Sequence, residues 1–154
     1  MSYVRKNLDE MRASNRHGQV SEVRVAKLLR DAGRTVKQMP YGAPFDLLVD
    51  GWKVDVKASQ MTIGGAKSGR SGMPLWAFVI NRFKRDDEPC DFYILRLEDV
   101  PYRSRKPLHL LLPAPLRTAR LVIGFSALLS RYAYASVEFR DFAKGKYTGN
   151  QKVA

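Results

Sequence analysis

The stretch FDLLVDGWKVDVKAS, residues 45–59, alternates apolar residues with others on both sides of Asp50-Gly51. This dipeptide is typical of two-residue turns, so the stretch predicts a β-hairpin. With Asp50 and Gly51 as the turn, Asp46 lies directly opposite Asp55 on the partner strand. Like charges that face each other across a strand pair destabilise a sheet, and strands are poor in Asp. The hairpin therefore contains a carboxylate pair that folding alone does not explain.

The two faces of this hairpin have different characters. Lys57 lies two residues beyond Asp55, so it points to the same face as the acids. The other face is predicted to be a core stripe made of Phe45, Leu47, Val49, Val54 and Val56. A solvent-facing surface with incidental charges would leave the second carboxylate uncompensated, because Lys57 can balance only one. A divalent cation would balance both, and Mg²⁺ typically takes one or two protein carboxylates.

The chain has 154 residues, with 27 Lys and Arg against 15 Asp and Glu, a formal net charge of +12. This excess favours a polyanionic partner such as nucleic acid, although ribosomal or membrane-surface contact would also fit. Residues 1–154 are predicted to form one domain, with a polar arm or helix at 1–16 and a flexible tail at 144–154. A single cysteine, no membrane-spanning apolar run and a charged N-terminus predict a cytoplasmic, reducing location and no membrane.

Patterns along the chain predict an α/β (α+β) fold: a helix, then mostly antiparallel strands, then a helix. The first helix is predicted over about residues 18–32, with Gly33 as its C-cap. The glycine-rich segment 59–74 is predicted to be a mobile loop, and Ser126 is predicted to cap a last helix. The predicted strands outside the hairpin are 35–39, 74–83, 90–97, 109–113 and 119–125.

Glu22 lies at an unusual position on the first helix. Helical spacing predicts an apolar stripe made of Val25, Ala26, Leu29 and Ala32. Glu22 falls inside this stripe, where a Glu is seldom buried without a partner. Either it lies at the end of the stripe in a salt bridge, or it reaches toward the two hairpin acids.

A helix with an inward Glu, followed by Asp46 and then by Asp55-Val56-Lys57, resembles the PD-(D/E)XK nuclease superfamily. The segments that carry the resemblance are SEVRVAKLL, PFDLLVDG and VDVKAS. Two features depart from the commonest pattern: Phe45 separates Pro44 from the first Asp, and the middle acid is Asp rather than Glu. The resemblance implies a restriction-endonuclease-like core, with a mixed four- or five-stranded sheet flanked by helices.

The resemblance also implies metal-dependent phosphodiester hydrolysis. Asp46 and Asp55 would bind Mg²⁺, or Mn²⁺ in its place, together with the backbone carbonyl of Val56. Lys57 would orient or activate the attacking water. Glu22 would hold a second metal ion or its water. These roles agree with the general chemistry of metal-assisted phosphate hydrolysis.

Several further residues are predicted to contact DNA. Ser59 would reach a scissile phosphate from the face that carries Lys57, and a plain strand-end hydroxyl is the alternative. The other predicted DNA contacts are basic residues in two loops. Alternatively, these residues only keep exposed loops soluble. They are Lys67, Arg70, Arg103, Arg105 and Lys106. His17 and His109 have no metal-ligand spacing and are predicted to be incidental.

These features favour a Mg²⁺-dependent DNA endonuclease of homing or restriction type. One active site per chain must meet two DNA strands, so a homodimer or larger homo-oligomer is expected. A Holliday-junction resolvase is the first alternative, and an inactive nuclease-like fold that only binds nucleic acid is the second. A basic structural RNA-binding protein would leave the facing acids unexplained.

Overall fold

A computed structural model describes residues 18–40, 42–65, 72–80, 90–116 and 118–146. The predicted arm at 1–16 lies outside the described residues, as do Lys67, Arg70 and all but the first three residues of the predicted tail. None of the described helices is long and apolar enough to cross a bilayer.

Strands β2 (Leu47–Val49) and β3 (Trp52–Ser59) form the predicted hairpin. Their register is the predicted one, from Val49 opposite Trp52 to Leu47 opposite Val54. Both turn residues have positive φ, 46° at Asp50 and 89° at Gly51. Glycine and, to a lesser extent, Asp tolerate this left-handed region, so the dipeptide fixes the turn and thereby the register.

The central sheet has five strands in the order β1-β2-β3-β6-β7. Besides the hairpin, it contains β1 (Val36–Gln38), β6 (Phe92–Leu97) and β7 (Leu108–Pro113). The β3–β6 pair is parallel and every other pair is antiparallel, so the sheet is mixed, as predicted. All six residues of β6 are buried, as expected for a strand covered on both faces.

A second sheet was not predicted. It consists of β4 (Thr62–Ile63), β5 (Pro74–Val79) and β8 (Arg120–Gly124), in the order β4-β5-β8 and antiparallel throughout. The prediction that 59–74 is entirely loop was therefore wrong, because β4 pairs with β5 within it. The β4 strand has only two residues, both exposed, so no period-2 pattern marks it in the sequence.

The described part of the chain contains three α-helices beside the sheets. Helix α1 covers residues 18–31 of the described chain, and Gly33 follows it with φ of 95°, confirming the predicted C-cap. The prediction of a single last helix was wrong, because the chain forms two helices there, α2 (Phe125–Leu129) and α3 (Ala133–Ala143). Ser126 lies inside α2, whose N-cap is Gly124, and its carbonyl accepts hydrogen bonds from the backbone N–H and hydroxyl of Ser130.

Two hydrophobic cores lie on opposite faces of the central sheet. The helix-side core joins α1 and α3 to the sheet through residues such as Leu29, Val54, Ile94 and Phe142. The second-sheet core joins β5, β8 and α2 to the other face through residues such as Trp76, Leu95, Ile123 and Leu128. The fold is thus mixed α/β, with a mixed sheet flanked by helices.

The predicted core stripe of the hairpin is correct except at its first residue. Leu47, Val49, Val54 and Val56 all belong to the helix-side core. Phe45 is half-buried and packs against the second-sheet core instead. Because β2 begins only at Leu47, the strand alternation does not extend back to Phe45.

The turn offers a direct test of this register. Gly51→Ala should destabilise the protein by about 1–2 kcal/mol, because alanine is strained at positive φ. Gly18→Ala is the matched control, since Gly18 is helical and a Cβ there would meet nothing within 4 Å. The control should leave stability unchanged or raise it by up to about 1 kcal/mol. Urea unfolding measures both, and equal effects would contradict the turn assignment.

Candidate functional site

Asp46 lies just before β2 and is held in place by hydrogen bonds with the β3 backbone. Its backbone N–H donates to the Val54 carbonyl at 3.0 Å. Its Oδ2 accepts a hydrogen bond from the Val56 backbone N–H at 2.8 Å. Since β2 ends at Leu47 on this side, the Asp46 carboxylate replaces the next strand residue as partner of the β3 backbone. This bond places the Asp46 carboxyl group beside that of Asp55.

Asp55 and Lys57 lie on the same face of β3, as the alternation predicts. Lys57 Nζ is 3.1 Å from Asp55 Oδ2, and the two side chains are 32% and 16% exposed. The Lys57 ammonium is therefore paired and still open to solvent on one side. Val56, between them, points into the helix-side core, and the role of its carbonyl as a metal ligand stays a prediction.

The two Asp carboxyl groups lie in a half-buried site in which the pKa of each is raised. Burial, together with Asp46, raises the pKa of Asp55 to about 7, while Lys57 opposes the shift. Burial also raises the pKa of Asp46, partly offset by its hydrogen bonds with Asp55 and the Val56 N–H. The site therefore favours loss of negative charge, either by binding a proton or by binding a cation.

Glu22 reaches the hairpin acids, as the second interpretation of the stripe predicts. Burial raises the pKa of its carboxyl group, while hydrogen bonds with Asp46 and Gln38 oppose this shift. Asp55 and Lys57 also act on it electrostatically. Even so, no group of three His, Cys, Asp or Glu residues in the described part of the chain is arranged to hold one metal ion. A role for Glu22 toward a second ion or its water stays a prediction.

Two cavities meet at Gly18, Glu22 and Asp46, which line both. The Lys57 cavity has a volume of about 380 Å³ and is also lined by Asp55, Lys57 and β5 residues 77–79. The Gln38 cavity has a volume of about 450 Å³ and lies beside Gln19, Val23, Gln38 and the segment that follows β1. The acid cluster is thus accessible from two adjoining spaces.

Ser59 has a structural role in this molecule. Its hydroxyl donates to the Gln60 carbonyl at 2.9 Å and accepts a hydrogen bond from the Ala77 backbone N–H at 3.0 Å. The hydroxyl therefore links β3 to β5, which corresponds to the strand-end alternative. Its contact with a phosphate stays a prediction.

The second basic cluster lies in the connection between β6 and β7. Arg103 ends a 3₁₀ helix (Pro101–Arg103), and Arg105 and Lys106 follow it in an exposed turn. The connection starts beside the end of β3, because the Glu98 N–H donates to the Ser59 carbonyl at 3.0 Å. The predicted DNA contacts of these three residues remain untested.

Sequence reasoning missed Gln38, which hydrogen-bonds with Glu22. A single strand glutamine has no motif, and only the pairing of Gln38 with Leu47 brings it beside Asp46. It also regarded His109 as incidental, whereas His109 is buried, stacks on Phe139 and lies 3.1 Å from Arg96 Nη1. Burial, reinforced by Arg96, lowers the pKa of His109 to about 4, so the ring is a neutral part of the core.

A scan against models of protein families finds no match, and neither curated proteins nor solved structures show one. The interpretation of the site therefore rests on its own geometry.

The raised pKa of Asp55 predicts how metal-free stability varies with pH. Between the ordinary value of 3.8 and the folded value of about 7, the unfolded chain loses this proton first. Wild-type stability should therefore fall as pH rises through this window and stay lower above it. Asn does not titrate, so in EDTA Asp55→Asn should gain about 1–3 kcal/mol relative to wild type between pH 5 and pH 8.

Thermal unfolding at the two pH values measures this difference. Asp31→Asn is the control, because Asp31 lies in an exposed ion pair with Lys27 away from the site. A gain for Asp55→Asn that is the same at both pH values would contradict the assigned protonation.

Proposed function

We propose that this protein is a Mg²⁺-dependent DNA endonuclease with a restriction-endonuclease-like core. The observation that carries the proposal is the half-buried carboxylate pair of Asp46 and Asp55, with Lys57 3.1 Å from Asp55 at an open cavity. A mixed five-stranded sheet with helices packed on it is compatible with that core. The hydrogen bond from the Val56 N–H gives Asp46 a structural role, but it does not account for the second carboxyl group, that of Asp55, beside it.

The donor set suits a hard divalent cation. Asp46 and Asp55 supply carboxylate oxygens, the ligands that Mg²⁺ prefers, and the Lys57 cavity leaves room for the waters that this ion keeps. A bound Mg²⁺ supplies Lewis-acid activation of the phosphate and a more acidic water. In this assignment Val56 contributes its backbone carbonyl, and Mn²⁺ substitutes for Mg²⁺.

Lys57 acts on the reacting phosphate. Its ammonium group is oriented by Asp55, and its side chain is partly exposed and lines the cavity. A fixed cation at that place stabilises negative charge as it develops on the phosphate oxygens, and it orients the attacking water. Glu22 would hold a second ion or its water from the helix side.

DNA is the proposed substrate because the net charge is +12 and phosphate neutralisation drives nucleic-acid binding. A homodimer would bring two such sites to the two strands of a duplex. The buried Cys90 agrees with a reducing, cytoplasmic location. Homing or restriction cleavage is the preferred role, and a four-way junction in the substrate panel tests the alternative of junction resolution.

Cleavage in Mg²⁺ should be measured on supercoiled plasmid, linear duplex, a four-way junction, and single-stranded DNA and RNA. Wild type should cut at least one DNA substrate. Lys57→Ala and Asp55→Asn should each lower the rate by about 10²–10³-fold or more, because each removes a group that acts on the transition state.

Lys53→Ala is the matched control for loss of positive charge. Lys53 lies on the same strand and the same face as Lys57, but its ammonium is placed over the Phe45 ring at 5.9 Å. This variant should retain cutting and lose only salt-dependent DNA affinity. Metal-independent DNA binding without cutting by any of the proteins would overturn the proposal in favour of a binding module.

A further inference from the structure

The Gln38 cavity opens beside the same acids as the Lys57 cavity. Glu22 and Asp46 form a wall that both cavities share. In the proposed nuclease, a strand whose phosphate lay against Asp55 and Lys57 would have a neighbouring nucleotide close to the Gln38 cavity. The question is which part of that nucleotide the cavity suits.

The charges of the described lining residues disfavour a phosphate in the Gln38 cavity. Among its described lining residues the ionisable ones are Glu22 and Asp46, and both are acidic. No described Lys or Arg lines it, whereas Lys57 lines the neighbouring cavity. A phosphate group would meet repulsion there. An uncharged nucleobase would not.

The walls also have the chemistry that recognises a base. Gln19 and Gln38 supply side-chain amides, which donate and accept hydrogen bonds along base edges. Gln38 is oriented by its hydrogen bond with Glu22. Val23, Met39 and Pro40 add apolar surface on which a flat ring packs. The volume of about 450 Å³ lies within the roughly 300–1,000 Å³ typical of small-molecule sites.

We propose that the Gln38 cavity binds an unpaired nucleobase next to the scissile phosphate. This inference rests on the proposed nuclease function and adds its substrate class: nucleic acid in which the flanking nucleotide is unpaired or readily extruded. A base stacked within a duplex cannot enter a cavity, so it must leave the stack. Doing so costs least where the base is already unpaired or mismatched.

The test compares a nucleotide with the same sugar phosphate lacking its base. Deoxyadenosine 5′-monophosphate and 2-deoxyribose 5-phosphate are titrated in Ca²⁺, and binding is followed by ligand-observed NMR. Wild type should bind the nucleotide at least about tenfold more tightly. Val23→Trp should fill the cavity and remove this difference while leaving the affinity for the sugar phosphate unchanged.

Val20→Trp is the matched control, because Val20 and Val23 are on the same helix and are 46% and 52% exposed, but Val20 does not line the cavity. Both variants should therefore fold, and Val20→Trp should keep the base preference. Equal affinity of wild type for the two ligands would overturn the inference, as would an unchanged preference in Val23→Trp.

The cleavage panel separates this inference from the proposed function. Cleavage without a binding preference for the base would contradict the proposed ligand of the Gln38 cavity and would still support the proposed nuclease function. Base preference together with inactivity on every substrate would overturn the nuclease and retain the cavity as a nucleotide site. If both proposals are correct, a duplex with one unpaired nucleotide should be cut about tenfold faster than its fully paired counterpart. The Val23→Trp variant should lose this difference in rate.

Discussion

The hydrogen bond from the Val56 backbone N–H to Asp46 Oδ2 holds two carboxyl groups together that would otherwise repel each other. It forms because β2 stops at Leu47 while β3 continues, so the β3 backbone would be left with an unpaired donor. A buried backbone donor is costly without a partner, and the Asp46 carboxylate supplies one. The position of Asp46 beside Asp55, and hence the whole proposed site, follows from this arrangement.

Other contacts fix the hairpin that carries the acids. Arg34 donates to the Asp50 carboxylate at the turn and to the Phe142 carbonyl on α3, and its guanidinium lies 4.9 Å from the centroid of the Phe142 ring. The Asp50 carboxylate also accepts a hydrogen bond from the Thr35 backbone N–H at 3.0 Å. These contacts link the turn to α3 and to the segment that follows α1. A rigid support of this kind suits a site whose ligands must be placed in advance.

Structural features that depend on a few neighbouring residues could be predicted from the sequence, whereas features that depend on distant pairing could not. The hairpin register follows from Asp50-Gly51 alone. The helical spacing of Glu22 places it within the apolar stripe, but it leaves open whether Glu22 pairs at the end of the stripe or reaches the acids. The second sheet depends on pairing between β5 and β8, which are about forty residues apart, and no local pattern encodes such a partner. Gln38 lies beside the site because of the β1–β2 register, which is part of the tertiary structure. The break between α2 and α3 is likewise set by packing, since Leu128 and Ala135 both enter the second-sheet core.

The central claim is that the half-buried acid pair of Asp46 and Asp55 binds a divalent cation, and Mn²⁺ is a direct probe of it. Electron paramagnetic resonance of a Mn²⁺ titration counts the ions bound by wild type, Asp55→Asn and the exposed-site control Asp31→Asn. The account predicts at least one ion bound by wild type and by the control, displaced by Mg²⁺, and loss of that ion in Asp55→Asn. Equal binding by all three proteins, or no binding by wild type, would contradict it.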